Sequence, residues 1–231
     1  MSLLTPYIPF LLLGLLTTLL LSAVAFPISI VLGLSVAHAR VGRSPAMRGF
    51  AKAFVTVFRS LPELLVMFLS FYGINFLLNG VGGALGIPMP NATPFVAAVI
   101  ALSIQFGAYS AEILRDAHRS LPVGLAEAGR AVGLTEAKVR SRIVTPLMLR
   151  ASLPSLGNLY LVLLKISALA SAIGVDELTR RSNLVSGAIK DPFLCFGVAA
   201  LGYLLLAGLG SLIQEWVFGR RFAKGGPVSV H

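Results

Sequence analysis

Two ionisable side chains lie within long apolar runs of this 231-residue chain, where they could bind a charged group. Charged residues at membrane depth are costly and usually functional. The carboxylate of Glu63, next to a helix-opening Pro62, could receive a cationic side chain, or it could pair with Arg59 four residues earlier. Lys165 could bind a carboxylate, extend its ammonium to the membrane surface, or pair with an acid.

Polar residues also recur at helical spacing inside the apolar runs. They are Ser155, Asn158 and Lys165 in one run, and Gln105, Tyr109 and Glu112 in another. Each set falls on one helix face, which would meet a partner helix or a pathway instead of lipid. We expect Glu112 to pair with Arg115, whereas Tyr109 either joins the polar face or simply packs. Ser167 either lines the pathway or bonds its own helix backbone.

The residues needed for catalysis or metal binding are missing or scattered. Cys195 is the only cysteine, and the histidines lie far apart, which predicts no metal site. The chain has no Gly-Lys pair, which excludes a Walker A loop. No cluster of His, Asp, Cys or Ser suggests a membrane-embedded enzyme. We therefore expect no chemistry and no cofactor in this chain.

The composition predicts that these residues are positioned by membrane-spanning helices. The chain is 56% hydrophobic and only 12% charged, and a span needs about 20 apolar residues. Five candidate spans follow: residues 10–37 with an expected kink at Pro27, 53–78 interrupted near Pro62, 94–114, 151–173 and 192–218. The predicted fold is therefore an all-α polytopic membrane protein forming one domain over residues 1–231.

The basic residues orient these spans. Most of the 19 lie in the first gap (Arg40, Arg43, Arg48, Lys52), in the third gap and its edges, and in the tail (Arg220, Arg221, Lys224). With five spans these regions share one side, which the positive-inside rule makes cytoplasmic. We expect a periplasmic N-terminus and a cytoplasmic C-terminus. Because the basic residues are divided by spans, a nucleic-acid binder is disfavoured.

The third gap, residues 116–150, has the pattern of two short helices. Pro122 can begin the first helix, Gly133 permits a left-handed stop, Thr135 can cap the second helix, and Pro146 is expected to end it. The segment either projects to meet a soluble protein or lies as an amphipathic loop on anionic lipid.

Glu127, Ala128 and Gly129 are followed after three residues by Gly133, then after nine by Ile143, and after one more by Thr145 and Pro146. This pattern resembles the "EAA" loop of ABC importer permeases. Two positions differ from the family pattern, where Ala stands at 129 and Leu at 145. In that family the loop is a coupling helix that fits a cleft of an ATPase subunit. The resemblance implies that residues 127–129, Gly133 and Pro146 make this contact.

Residues 58–65, 107–115, 153–158 and 165–169 resemble segments of the polar amino-acid permeases. Glu63 directly after Pro62 is similar to the histidine/lysine/arginine/ornithine and opine branch of that family. The resemblance implies a bacterial inner-membrane subunit that pairs with a second, non-identical permease, with two ATPase subunits that bind ATP and Mg, and with a periplasmic binding protein. Ile166 stands where the family commonly has a polar residue.

The expected function is therefore one half of the membrane pathway of an ATP-driven, binding-protein-dependent importer of polar or basic amino acids. Glu63, Gln105, Tyr109, Asn158, Lys165 and Ser167 are the candidate pathway residues. Asp176 and Glu177, in the last outer gap, are candidates for binding-protein docking or form a solvated turn. The alternative is an ion-coupled secondary transporter or channel subunit, which would leave the 116–150 segment unexplained.

Overall fold

A computed structural model describes residues 4–42 and 44–222, and its regular structure in those ranges is entirely helical. The principal helices are α1 Ile8–Arg40, α2 Pro45–Ser60, α3 Glu63–Leu85, α4 Pro94–Arg119, α5 Val123–Ala131, α6 Glu136–Val139, α7 Thr145–Ile166, α8 Leu178–Ile189 and α9 Pro192–Phe222. Short 3-10 segments cover Thr5–Tyr7 and Ser167–Ile173, and a π segment covers Arg140–Val144. The predicted all-α class is confirmed. Arg43 and Lys224, which contributed to the predicted orientation, lie outside the described residues.

Five helical segments are long and apolar enough to cross a membrane, as predicted. They are Thr5–Arg40, Glu63–Leu85, Pro94–Arg119, Glu136–Ile173 and Pro192–Trp216. Pro27 lies inside α1, which continues to Arg40. Large apolar side chains such as Phe76 (77% exposed) and Phe193 (93% exposed) stay uncovered, as expected for surfaces that face lipid or another membrane subunit.

The predicted second span, residues 53–78, had the wrong beginning. Residues 45–60 form a separate amphipathic helix, α2, which starts after Ser44 and buries only Ala51 and Val55. The span itself is α3, which begins at Glu63 beyond the break at Pro62. The prediction failed because the apolar residues of α2 follow helical periodicity between Arg48, Lys52 and Arg59, and a hydropathy average over them resembles that of a span.

The chain forms two compact units, residues 1–25, 63–101 and 160–231, and residues 26–62 and 102–159. α1, α4 and α7 each contribute residues to both units. The single domain expected over residues 1–231 stays a prediction.

In the first unit, glycines allow α8 to approach two membrane helices. A Cβ at Gly14 of α1 would lie 3.0 Å from the Leu178 Cα atom. A Cβ at Gly202 of α9 would lie 2.8 Å from the Leu178 Cδ2 atom. Small residues at such contacts let helix backbones pack closely. The start of α8 is therefore seated against both α1 and α9.

In the second unit, glycines likewise allow α1 and α4 to pack closely. A Cβ at Gly33 would lie 2.5 Å from the Ser110 Cβ atom and 2.9 Å from the Ala111 backbone nitrogen. A Cβ at Gly107 would lie 2.7 Å from the Leu32 Cδ2 atom. This close contact fixes the C-terminal half of α4, which carries Tyr109, against the end of α1.

Candidate functional site

The α5 helix ends in a left-handed turn at Gly133. Gly133 has φ +81°, its N–H donates to the Arg130 carbonyl at 2.9 Å, and the Leu134 N–H donates to the Gly129 carbonyl at 3.1 Å. These two bonds form a Schellman motif, which satisfies the last carbonyls of a helix and favours glycine at this position. The predicted stop at Gly133 is confirmed, and it sets the angle at which the chain leaves α5.

One face of α5 is buried and the opposite face is open. Gly129 is buried, and a Cβ there would lie 2.7 Å from the Ile143 Cδ1 atom and 3.2 Å from the Val139 Cγ2 atom. Glu127 and Ala128 are exposed. The spacing between Gly129 and Ile143 therefore corresponds to a packing contact that seats α5 on the returning chain and leaves Glu127 and Ala128 facing outward.

The second short helix begins as predicted but does not end as predicted. α6 starts after Thr135, whose side chain makes no capping hydrogen bond, and Arg130 donates to the Glu136 carboxylate at 2.6 Å. Pro146 does not terminate this helix. The chain passes through the π segment into α7, with Pro146 as its second residue. The prediction was wrong because Pro is tolerated in the first turn of a helix, and a π turn just before it accommodates the missing N–H.

Three arginines surround the Glu112 carboxylate in the second unit. Arg40 from α1 and Arg115 from α4 form ion pairs with it, and the Arg59 guanidinium from α2 lies 3.9 Å away. The same guanidinium lies 5.7 Å from the centre of the Tyr109 ring. The predicted Glu112–Arg115 pair is confirmed. Arg40 and Arg59 were missed, because sequence spacing identifies partners only within one helix.

This cluster borders a cavity of about 440 Å³ that Arg59, Tyr109 and Glu112 line. Its other lining residues include Thr56 and Ser60 of α2. The cavity contains both signs of charge, so it is polar enough to admit water or a small zwitterion.

Two pathway candidates, Gln105 and Glu63, are related to the break between α2 and α3. Gln105 is 1% exposed and donates to the Leu61 carbonyl at 3.1 Å, which satisfies a backbone acceptor at the break. Glu63 is half-buried in the first turn of α3, where the helix dipole favours a carboxylate. Arg59 belongs to the second unit and Glu63 to the first, so the local-pair interpretation of Glu63 stays a prediction. A pathway role for Gln105 or Glu63 also stays a prediction.

The α7 candidates differ in accessibility. Asn158 and Lys165 are exposed on the helix surface, and Lys165 has no ion pair among the described residues. Ser167 is buried, and its hydroxyl donates to the Leu164 carbonyl at 2.7 Å. The structure thus confirms the backbone bond that was the alternative interpretation of Ser167. Pathway roles for Asn158 and Lys165 are not decided by these placements.

The two acids before α8 have different environments. Asp176 is exposed and accepts from the Arg180 Nε atom at 2.9 Å. Glu177 is fully buried, accepts from the backbone N–H groups of Thr179 and Arg180 at 2.9 and 2.8 Å, and accepts from the Tyr203 hydroxyl at 2.6 Å. Glu177 is therefore the N-cap of α8, and the solvated turn expected for both acids holds for Asp176 alone.

Burial raises the pKa of Glu177, and the hydrogen bonds from Tyr203 and the α8 amides offset only part of that rise. Thr18 of α1 is close as well, with its hydroxyl 3.5 Å from the Glu177 carboxylate and 3.2 Å from the Leu178 nitrogen. A run of Asp-Glu before a helix could have signalled a cap, but its distant partners carry no sequence signal.

Comparison with known proteins places this arrangement in a class. Residues 29–222 match the model of a family described as binding-protein-dependent transport system inner membrane component. The chain belongs to this family, so it is a permease subunit of a transport system of the inner membrane.

Several relatives that match most of this chain are named as amino-acid or opine permeases. The chain is 36% identical to the octopine transport system permease protein OccQ of Rhizobium meliloti over 190 residues, 82% of this chain and 80% of the relative. It is 33% identical to the histidine/lysine/arginine/ornithine transport system permease protein HisQ of Escherichia coli K12 over 212 residues, 92% of each chain. It is 37% identical to the arginine ABC transporter permease protein ArtQ of the same organism over 176 residues, 71% and 74% of the two chains.

Comparison with solved structures leads to the same class of protein. A crystal structure of an amino acid ABC transporter with histidines matches with a TM-score of 0.79 and 29% identity, covering 95% of this chain and 97% of that one. An inward-facing MetNI methionine ABC transporter matches with a TM-score of 0.72 at 21% identity, covering 92% and 96%, which shows a shared fold. The predicted resemblance to ABC importer permeases is confirmed.

Proposed function

We propose that the chain is one half of the transmembrane pathway of an ATP-driven importer of polar, chiefly basic, amino acids. The named substrates of HisQ and ArtQ support the substrate class. The second half is a non-identical permease, two ATPase subunits bind ATP and Mg, and a periplasmic protein delivers the solute. This chain itself holds no cofactor. An ion-coupled transporter or channel has no support from the relatives.

The open face of α5 is the observation that carries this proposal. Glu127 and Ala128 point away from the chain, and Val132 at the end of the helix is 78% exposed. An exposed apolar residue beside a carboxylate, on a helix that ends in a hydrogen-bonded turn and packs through Gly129 on the returning chain, suits a cleft on a soluble subunit. We assign Glu127 and Ala128 to ATPase contact, whereas the buried Gly129 and the turn at Gly133 hold α5 in position for it. Pro146 acts indirectly, by shaping the start of α7.

The return of the chain from α5 suggests how motion is transmitted. Gly129 contacts Ile143, and α7 begins two residues later at Thr145. The Thr145 hydroxyl lies 3.1 Å from the His38 Nε2 atom of α1. ATP-driven closure of the ATPases would push α5, and this push would reach the start of α7 and the end of α1. The permease pair then alternates between inward- and outward-facing states.

Two charged residues are the leading pathway candidates. The Glu63 carboxylate would receive a cationic side chain, and the exposed Lys165 ammonium would attract a carboxylate. Tyr109 and Asn158 are secondary candidates. Gln105 and Ser167 already bond to backbone carbonyls, so we assign them the support of the pathway helices. On the outer side, Asp176 is the candidate for binding-protein contact, whereas Glu177 supports α8 from within.

The orientation can be tested because Cys195 is the only cysteine in the chain. In a Cys195→Ala background, single cysteines replace Ala128 of α5 or Asn91 between α3 and α4, both exposed positions. A membrane-impermeant maleimide applied to whole cells should label the cysteine at 91 and spare the one at 128. Labelling at 128 but not at 91 would reverse the proposed topology and refute the coupling role.

The coupling assignment is tested with the assembled complex in liposomes. Glu127→Lys should abolish binding-protein-stimulated ATP hydrolysis and uptake, or prevent co-purification of the ATPase. Glu215→Lys, an equal charge reversal on α9, is the matched control and should keep both. Normal coupled uptake by Glu127→Lys would count against the docking role. Unchanged uptake of Arg and His by Glu63→Gln would remove Glu63 from the pathway.

A further inference from the structure

A second cavity, of about 430 Å³, lies within the second unit beneath the α5–α6 turn. Its walls come from the ends of α1 and α4, from α5 and α6, and from the beginning of α7. Six basic side chains line it: His38, Arg115, His118, Arg119, Arg130 and Arg140. It is separate from the Glu112 cavity, and the proposed transport function leaves it without a role.

The charge of this cavity is unbalanced. The lining contains one acid, Glu136, and the Arg130 guanidinium already pairs with it at 2.6 and 3.4 Å. Among the described residues, neither Arg119 nor Arg140 has an ion pair. The cavity therefore keeps a net positive charge even with both histidines neutral, and its potential attracts anions.

Arg115 also keeps an unused donor. Its Nη2 atom pairs with Glu112, but its Nε atom is buried and has no hydrogen-bond partner among the described residues. Buried polar groups are normally hydrogen-bonded, and this orphan donor belongs to a side chain that lines the same cavity as Arg119 and Arg140, which indicates a missing acceptor. Arginine forks match phosphate oxygens with paired, charge-assisted bonds.

The remainder of the lining is apolar. It includes Val41 at the end of α1, Leu125 of α5, and Ile143 and Met148 on the returning chain. A cavity lined by both cationic and apolar side chains at the ends of membrane helices suits the headgroup of an anionic lipid, whose chains continue into the bilayer. A small free anion would use only the cationic side chains.

We propose that this cavity binds a phosphate group, supplied by an anionic phospholipid or by free inorganic phosphate. Arg119 and Arg140 contact its oxygens, and the Arg115 Nε atom donates a further hydrogen bond. The bound group would neutralise the cavity behind α5 and stiffen the helix that carries Glu127. This inference depends on the basic cavity and not on which solute is transported.

The test uses the complete purified complex. Native mass spectrometry counts the phosphatidylglycerol and phosphatidylcholine molecules that it retains from mixed micelles. Thermal unfolding is measured with inorganic phosphate against chloride at equal ionic strength. The Arg119→Gln/Arg140→Gln double variant should bind the preferred ligand about tenfold or more weakly. The matched control, Arg142→Gln/Arg150→Gln, removes the same charge from side chains outside the cavity lining.

The outcomes separate the two sources. Retention of phosphatidylglycerol over phosphatidylcholine, lost in the Arg119/Arg140 variant only, identifies the lipid. A phosphate-specific stabilisation lost in the same variant identifies the free anion. If neither ligand is preferred, or the control loses as much binding as the double variant, the proposal is overturned. If the double variant does not assemble, inorganic phosphate is added to the wild-type complex instead. Displacement of the retained phosphatidylglycerol by phosphate supports the proposal, and unchanged retention overturns it.

Discussion

Replacement of Gly133 should loosen α5 without disturbing any contact. The residue has φ +81°, and nothing lies within 4 Å of a Cβ built there. A substitution therefore acts through backbone conformation alone. An L-residue in the left-handed region costs about 1–2 kcal/mol, asparagine less, and a β-branched residue more. We expect the order Gly, Asn, Ala, Val from most to least stable turn.

This conformational cost can be measured by hydrogen exchange, because the turn protects backbone N–H groups with two hydrogen bonds. The Leu134 N–H, bonded to the Gly129 carbonyl at 3.1 Å, is released only when the turn opens. A penalty of about 1–2 kcal/mol raises the open population about 5- to 30-fold. Hydrogen exchange of peptides covering residues 123–139 in the assembled complex should speed up by that factor in Gly133→Ala. Uptake per ATP hydrolysed should fall in parallel.

Gly124→Ala supplies the internal control. Gly124 lies in the same helix and has no positive φ, and a Cβ placed on it would also meet nothing within 4 Å. Alanine there should be neutral or should stabilise α5 by up to about 1 kcal/mol. If Gly133→Ala exchanges no faster than Gly124→Ala, or if Asn at 133 is as harmful as Val, the backbone argument is refuted.

Substitutions at three further positions test other contacts. Gly129→Ala should be tolerated, because the Cβ 2.7 Å from Ile143 meets the flexible end of a side chain and alanine adds helix propensity, whereas Gly129→Val should lower the melting temperature of the complex. Glu112→Gln should destabilise by about 1–3 kcal/mol in thermal unfolding, because it leaves the surrounding guanidinium groups facing one another, and an unchanged melting temperature would contradict this. For Glu177 the pKa is raised, so the native state binds a proton before the unfolded state does. The wild type should therefore gain stability over Glu177→Gln as the pH falls from that raised pKa toward 4.5, and parallel melting curves across the pH series would show that the carboxylate is not buried as described.

Local signals in the sequence account for much of this structure. Apolar length fixes the number of spans, since a bilayer sets the length of each helix. Gly133, Pro122 and Thr135 mark the boundaries of α5 and α6 because caps and stops depend on backbone conformation at single residues. The pairing of Glu112 with Arg115 is equally local, since side chains three residues apart adjoin on a helix.

Contacts between distant segments could not be predicted in this way. Glu177 looks like an exposed acid in a turn, yet Thr18 of α1 and Tyr203 of α9 enclose it. Arg40 and Arg59 reach Glu112 from two other helices, and no spacing rule connects them. The predicted start of the second span was wrong for a different reason. Hydropathy averages cannot distinguish an amphipathic surface helix such as α2 from the edge of a span.

The coupling motif joins these two kinds of information. Its fixed spacing can be read from the sequence alone. The separation of residues 129 and 143 is nevertheless set by the tertiary structure, because the chain between them must turn at Gly133, form α6 and return under α5. An inserted or deleted residue between them would carry Ile143 off the Gly129 face, by about 100° of helix rotation. The spacing must therefore be kept even where residue types change, as they do at Gly129 and Thr145. A smaller residue at 129 leaves the register intact, and Ile143 still fills the space beneath the helix.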